Sequence, residues 1–476
     1  MNESEQPANS SSATGDDLFL KVAIVLLCLI GLNLAIGWIL QFYFKQQVIS
    51  NISFVGSDPS WIPKGTHFSP ALGVHYFGDF EQYMGYATSS IPPYSSAIGY
   101  PAAYGPTAIM LVKLLNSMVG WPGAVFVFLI ASLALFLWGL IRLLGSSLSS
   151  RLLAILLLFT GGTVVSLDRG NLQILVAALC VWFCVGFLED RPNILIISLA
   201  FAIAIKIYIA VLVLILIKAR RWRDIVLLSG LAVALYGISF ALLGGNYFRD
   251  IGNFFDTNLL FASSPSHGFV LGCVSAASAV YKSLWLLWGP KHFENFLNNS
   301  PSWYVQVPGF IIGCACLIII WISKYPREIA LVAIFALMQL VPASTYPYVE
   351  INMVIELCLL LRILGCTSRD TGGGHPKNKY GSPPISRRIL MICVILLVVG
   401  SAPWLGMFYG NSGARTSIGE LLAPIMNIGV VIALLVGLLV GRRHIARHRH
   451  TSRSQHRLES ASGNVLVSAD EHSPLP

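Results

Sequence analysis

Residues 193–218 read NILIISLAFAIAIKIYIAVLVLILIK, flanked by EDRPN (189–193) and KARRWR (218–223). The run is long enough for one membrane helix, since about 20 apolar residues cross the hydrocarbon core. Yet Lys206 stands near its middle. A lysine at the bilayer centre costs about 3 kcal/mol or more. The other solution is two short helices that meet near Lys206 at the far side of the membrane, with both flanks cytoplasmic. The choice fixes the parity of the chain upstream. Counted back from the basic C-terminal tail, DRGN (168–171) lies outside if there are two short helices and inside if there is one span.

The rest of the chain has the same solvent. Of 476 residues, 55% are hydrophobic and 11% charged, with a mean hydropathy of +0.71. Soluble domains carry about 25% charged residues, so a soluble fold is excluded. A β-barrel would show short alternating segments, and VAIVLLCLIGLNLAIGWIL (22–40) does not alternate. The net charge of +9 gathers in KARRWR, in SRRIL (386–390) and in GRRHIARHRHTSRSQHR (441–457). Basic clusters beside apolar spans mark cytoplasmic ends, which argues against a nucleic-acid partner. Membrane lipids are the expected partner of the tail, through anionic headgroups. Cys28, Cys180, Cys184, Cys314 and Cys316 lie inside apolar runs, where a free cysteine behaves as a small hydrophobe. No cysteines have zinc-site spacing, and no disulfide framework is expected. The first apolar run, 18–44, lacks a basic leader and a small-residue cleavage site, so it is read as a retained membrane helix.

These features predict an all-α polytopic membrane protein of about twelve transmembrane helices, some of them short. Residues 1–17 read as a disordered cytoplasmic N-terminus, 18–440 as the integral membrane domain, and 441–476 as a basic, then polar, disordered cytoplasmic tail. Within the domain, 45–120 and 245–302 are the two outer segments, and the Gly-rich basic stretch 365–388 is a cytoplasmic linker. The first outer segment carries juxtamembrane helices. Its last part, YGPTAIMLVKLLNSMVG (104–120), either spans or lies on the membrane. Spans are expected at 122–144, 149–167, 172–188, 225–244, 303–323, 328–345, 349–364, 389–405 and 421–440.

On this map the unusual polar residues gather on one side. HYFGDFEQYMGYA (75–87) places Asp79 and Glu81 among aromatics; Asp168, Arg169, Asn171 and Gln173 sit at a helix boundary; His267 lies in SSPSHGF (263–269). Tyr346 and Tyr348 interrupt the apolar pattern in PASTYPYVEIN (342–352). Each has an ordinary reading as well. Asp79 suits an N-cap, Glu81 a solvated first-turn acid, and the tyrosines interfacial anchors. Asp168 and Arg169 can pair at a span end, and Asn171 and Gln173 can satisfy helix-end groups. An acid and several cations that face one outer cavity suit an attacking hydroxyl and an anionic leaving group. That points to group transfer from a lipid phosphate. No residues form a metal cluster, so no cofactor is expected.

Four stretches in order carry a resemblance. They are GDFEQYMGYA (78–87), GYPAAYGP (99–106), DRGNLQILVAAL (168–179) and AIAIKIYIAVLVLILIKARRW (202–222). The chain resembles the polyprenol-phosphate-sugar glycosyltransferases of the GT-C superfamily, and most closely glycosyltransferase family 87, the α-mannosyltransferase-like family of bacterial membranes. The similarity runs over about 18–245 and more weakly to 360. Where the family commonly has Gly-Gln-x-Asn this chain has Asp168-Arg169-Gly170-Asn171, and Ile207 replaces a proline after Lys206. A later Trp and His of the family have no counterpart in VPASTYPYV (341–349). The resemblance implies a GT-C-like bundle in the plasma membrane with an extracytoplasmic active site and both termini cytoplasmic. It implies a polyprenyl-phosphate sugar as donor, mannose foremost, and a glycolipid or glycan as acceptor, with inversion. It puts Lys206 toward the outer face, which favours two short helices. The roles it suggests are Asp79 as catalytic base, with Lys206, Arg169, Asp168, Asn171 and His267 binding donor phosphate or substrate. The rival classes are a multi-pass transporter or lipid flippase, and a non-catalytic protein of the same fold.

Overall fold

A computed structural model describes residues 10–44, 77–94, 102, 104–121, 123–263, 275–288, 306–323, 327–342, 347–367, 385–402, 407–409, 415–417 and 421–441. Between Pro192 and Lys218 the chain makes a hairpin. Helix α8 (Pro192–Ile205) ends at Lys206, whose backbone is extended (φ −138°, ψ 109°). A 3-10 segment (Ile207–Leu212) and the short helix α9 (Val213–Lys218) then return. The two mouths of the hairpin meet, since Arg221 Nη1 lies 3.4 Å from Asp190 Oδ1. A helix of α8's length reaches about 21 Å at 1.5 Å per residue, short of the ~30 Å hydrocarbon core. The run is therefore two short limbs and not one span.

That hairpin defines two ends for the bundle. At the Asp190 end, Arg327 Nη1 joins Asp190 at 3.2 Å, Arg142 pairs with Glu189 at 2.9 Å, and Arg362 pairs with Glu328 at 3.5 Å. Lys218 donates there to the Ser323 carbonyl and, at 3.1 Å, to its hydroxyl. Helix α4 (Gly123–Leu144) reaches this end with Arg142, and α10 (Trp222–Leu243) starts from it. The opposite end holds Lys206. The first helix, α1 (Ser10–Phe44), also begins at the Asp190 end, where Ser149 Oγ donates to Asp16 at 3.2 Å. It starts well before the expected position 18, and residues 10–17 are helical where disorder was expected; the Lys21–Asp17 pair at 2.6 Å supports that first part.

Helix α7 (Gln173–Leu188) packs between α4 and α8 through two glycines. A Cβ on Gly139 would lie 2.8 Å from Val181 Cγ1, and one on Gly186 would lie 2.6 Å from the Leu195 nitrogen. The expected span 149–167 is broken. Helices α5 (Leu148–Leu157) and α6 (Gly161–Asp168) form a pair bent by 57°. The break admits another segment: a Cβ on Gly162 would meet the backbone of Glu350 and Ile351. Among the described residues, three helices are long and apolar enough to cross a membrane: Gly123–Leu144, Trp222–Leu243 and Leu421–Gly441, with the bent pair as a fourth candidate.

The other elements complete the bundle. They are α2 (Gly78–Thr88), α3 (Pro106–Val119), α11 (Tyr247–Ser263), α12 (Ala276–Trp288), α13 (Val307–Ile322), α14 (Arg327–Leu340), α15 (Ile351–Thr367), α16 (Arg387–Ser401) and α17 (Leu421–Gly441). Helix α3 is anchored by its first turns, with Pro106, Ala108, Ile109 and Val112 buried. Every residue of α15 from Ile351 to Leu361 is buried, which makes it a core helix. A small antiparallel hairpin, β1 (Met407–Tyr409) with β2 (Arg415–Ser417), departs from the all-α expectation.

The α7–α8 contact makes a test. Gly186→Ala should destabilise by about 1–3 kcal/mol, the range for overpacking, because backbone atoms cannot move aside. Gly230→Ala, which meets nothing within 4 Å, should be neutral or slightly stabilising. Thermal melts of the two purified variants check this, and equal melting temperatures would refute the close approach.

Candidate active site

The end opposite Asp190 is organised around the turn Arg169–Asn171. Helix α6 closes with a Schellman motif: Asn171 N donates to Ser166 O at 2.9 Å and Gly170 N to Leu167 O at 3.0 Å. Gly170 takes φ +60°, and a Cβ there would sit 2.9 Å from Phe80 Cβ. Only glycine lets α2 approach this closely. The turn then caps α2 with its backbone, because the Arg169 carbonyl accepts from Asp79 N at 3.0 Å and from Phe80 N at 3.4 Å. Those are two of the first-turn amides that a helix leaves without an internal partner.

Asp79 is therefore not the N-cap that GDF suggests. The cap position is Phe77, with left-handed backbone (φ 60°), and Asp79 lies inside the first turn. Asp79 is 5% exposed, and its carboxylate is turned toward the chain segment 169–171. Arg169 Nε and Nη2 reach Oδ1 at 3.0 and 2.5 Å, and Asn171 Nδ2 reaches Oδ2 at 2.5 Å. Asn171 is oriented from its other end. Its Oδ1 accepts from the Gln173 backbone at 2.8 Å, which caps α7, and from Lys206 Nζ at 3.3 Å. One amide thus joins the carboxylate to the ammonium.

Lys206 owes its position to the hairpin tip. Gly105 N donates to Ile205 O at 3.2 Å, and a Cβ on Gly105 would run into the Ala204 carbonyl. The YGP sequence therefore presses the start of α3 onto the end of α8, and Pro106 occupies the first turn of α3. Tyr104 lies beneath the ammonium at 5.6 Å from ring centroid to Nζ, a cation–π contact. Tyr83 meets the Tyr104 ring edge-on at 4.5 Å. Tyr208, two residues past Lys206, donates to Gln173 Oε1 at 2.8 Å. Phe80 against Trp121 and Phe128 (5.9 and 5.4 Å) and Phe77 against Phe126 (6.2 Å) fasten α2 to the start of α4.

Of the residues singled out in the sequence, Asp79, Arg169, Asn171 and Lys206 converge. Asp168 is the last residue of α6, and its side chain lies outside the described residues, as do His267, Tyr346 and the Tyr348 side chain. Glu81 is half-buried. Sequence reading did not single out Tyr104 and Tyr208. Their available signal was position, next to the helix start at Gly105-Pro106 and two residues beyond Lys206.

Chemically, the cluster presents one buried carboxylate beside two cations. A pair such as Asp79–Arg169 is costly to break from one side, about 3–5 kcal/mol, because the other charge stays buried. Neutral Asn171 extends it to Lys206 without adding charge.

Residues 102–344, just over half of the chain, match the family model described as Glycosyltransferase family 87. The match starts later than the first-loop resemblance, so it contains Tyr104, Arg169, Asn171 and Lys206 but not Asp79. No curated protein and no solved structure matches the chain.

The turn supplies a test. A left-handed backbone costs a non-glycine residue about 1–2 kcal/mol. Gly170→Ala should exceed that cost because Phe80 stands in the way. A loss confined to about 1–2 kcal/mol in chemical or thermal unfolding, the backbone cost alone, would show that α2 is not docked as closely as described.

Proposed function

Because the chain belongs to glycosyltransferase family 87, we propose that it transfers a hexose, mannose foremost, from a polyprenyl-phosphate donor to a glycolipid or glycan acceptor on the extracytoplasmic face of the plasma membrane. The family is one of glycosyltransferases, so the chain is a glycosyltransferase, and the transporter and flippase alternatives give way. The observation that carries the finer reading is the network in which Arg169 and Asn171 hold Asp79 while Asn171 accepts from Lys206.

In this reading the acceptor hydroxyl oxygen attacks the anomeric carbon as the bond from that carbon to the phosphate oxygen breaks. The hydroxyl proton passes to Asp79, and the electron pair of the broken bond leaves with the polyprenyl phosphate. A single displacement of this kind inverts the configuration. Both oxygens of Asp79 already accept hydrogen bonds from protein, but a carboxylate has about four lone-pair sites. A third partner can therefore approach. Arg169 and Lys206 stabilise the charge that grows on the departing phosphate, which is where preorganised cations have most effect.

Asp79→Asn keeps the size of the side chain but cannot take the proton. General-base help is worth roughly 10²–10⁴ in rate, so turnover with a polyprenyl-phosphate sugar should fall at least about a hundredfold. The variant should also melt lower, since Arg169 loses its charged partner. The rate is therefore to be compared at a temperature where both proteins are folded. Turnover within about threefold of wild type, well short of the range for a lost base, would remove Asp79 from the chemistry.

The outward orientation has its own test. Ser90, just beyond α2, and Asn193, at the Asp190 end, are both exposed. With Cys28 and Cys314, exposed among the described residues, and also Cys273 and Cys366 replaced by Ser, Ser90→Cys should react with an impermeant thiol reagent added outside intact cells. Asn193→Cys should react only after the cytoplasmic side is opened. The reverse pattern would invert the topology.

A further inference from the structure

A second polar cluster lies inside the bundle, built from residues the transfer chemistry does not use. Gln339 on α14, Asn352 and Glu356 on α15 and Asn427 on α17 are each 0% exposed. Asn427 Nδ2 ties three of them, donating to Gln339 Oε1 at 3.1 Å and to Glu356 Oε1 at 3.3 Å. Asn352 and Glu356 stand one turn apart on the same face of α15, four residues apart in sequence.

These contacts leave much unmatched. Glu356 Oε2, Asn427 Oδ1, Gln339 Nε2 and both polar atoms of the Asn352 amide have no hydrogen-bond partner among the described residues. Buried polar groups in folded proteins are nearly always satisfied. An ionisable side chain inside a membrane bundle marks a functional site by default. Among the described residues Glu356 makes no ion pair, and the segments joining these helices at that end, 341–350 and 402–420, contain one basic residue, Arg415.

We propose that Gln339, Asn352, Glu356 and Asn427 form a binding site for a partly hydrated monovalent metal cation, sodium or potassium. One carboxylate matches one positive charge. Carboxylate and amide oxygens are the ligands that hard cations take, and Glu356 Oε2, Asn352 Oδ1 and Asn427 Oδ1 supply them. The waters of such an ion accept from the Gln339 and Asn352 N–H groups. A proton on Glu356 would remove the charge and supply one O–H donor, enough for one of the two free amide oxygens, whereas a cation can take the carboxylate and both amide oxygens, so the cation accounts for more of the cluster. The site ties α14, α15 and α17 together and is separate from the Asp79 network.

The test is the thermal melt of purified full-length protein in sodium, potassium or N-methylglucamine chloride at equal ionic strength. A bound ion stabilises by mass action, and at saturation the melting temperature should rise by at least about 3 °C over N-methylglucamine. Glu356→Gln should abolish that difference. Should this variant fail to fold, Asn352→Ala keeps the charge and should raise the half-saturating cation concentration at least about tenfold. Equal melting temperatures in all three salts would overturn the proposal, as would a cation response that survives Glu356→Gln. A response to falling pH alone would assign a proton instead and overturn it too.

Discussion

An ammonium group has no stable place in hydrocarbon without polar company, and the hairpin 192–218 is shaped by that constraint. The chain enters on α8, turns where Lys206 stands, and returns to the level at which it entered. Asp190 closes the mouth by meeting both Arg221 and Arg327. Lys206 is thereby delivered to the end of the bundle that also holds the α6–α7 turn and α2. If Lys206 were apolar, the run would carry no charge to keep out of the bilayer centre.

The other buried charges at that end are held by backbone as much as by side chains. Arg169 contributes its carbonyl to the amides of α2 and its guanidinium to the Asp79 carboxylate. Docking of α2 and placement of the acid are thus one event. A buried ion pair adds little net stability compared with apolar residues of the same volume. Aromatic packing around Phe77 and Phe80 is a better source of it. What the pair adds is geometry, because two donors on Oδ1 and one on Oδ2 fix the plane of the carboxylate. A third group can then approach it from a defined direction.

Much of this was legible in the sequence, and the limits have physical causes. Composition fixes the solvent, and one misplaced lysine between two arginine-bearing flanks is enough to propose the hairpin. The contact between Asp79 and Arg169 joins residues 90 apart, and no local pattern announces it. A local reading therefore offers an N-cap as the ordinary role of Asp79 beside the catalytic one, and cannot see Arg169 as its partner. The break at 158–160 has its signal in Gly161-Gly162. A pair of glycines inside an apolar run marks a place where another backbone comes close, here residues 350 and 351. Asn352 and Glu356 also had a signal: two polar residues at helical spacing inside INMVIELCLL (351–360). They lie beyond the four motifs, in the stretch where the family similarity is weak.

The departure at position 169 bears on the proposed chemistry. Where the family commonly has glutamine this chain has Arg169, and a guanidinium can serve a carboxylate and a phosphate in a way an amide cannot. Before the donor arrives, Arg169 orients Asp79. As the glycosidic oxygen leaves with its electrons, the growing phosphate charge competes for the same guanidinium. Whatever hydrogen bonding Arg169 then shifts to the phosphate, it withdraws from Asp79 at the moment a hydroxyl proton needs an acceptor. Asn171 keeps its hold on Oδ2, so the carboxylate stays in place while Oδ1 becomes available. On this view the departing group and the incoming proton are coupled through one side chain, and the glutamine of its relatives would leave the two events independent.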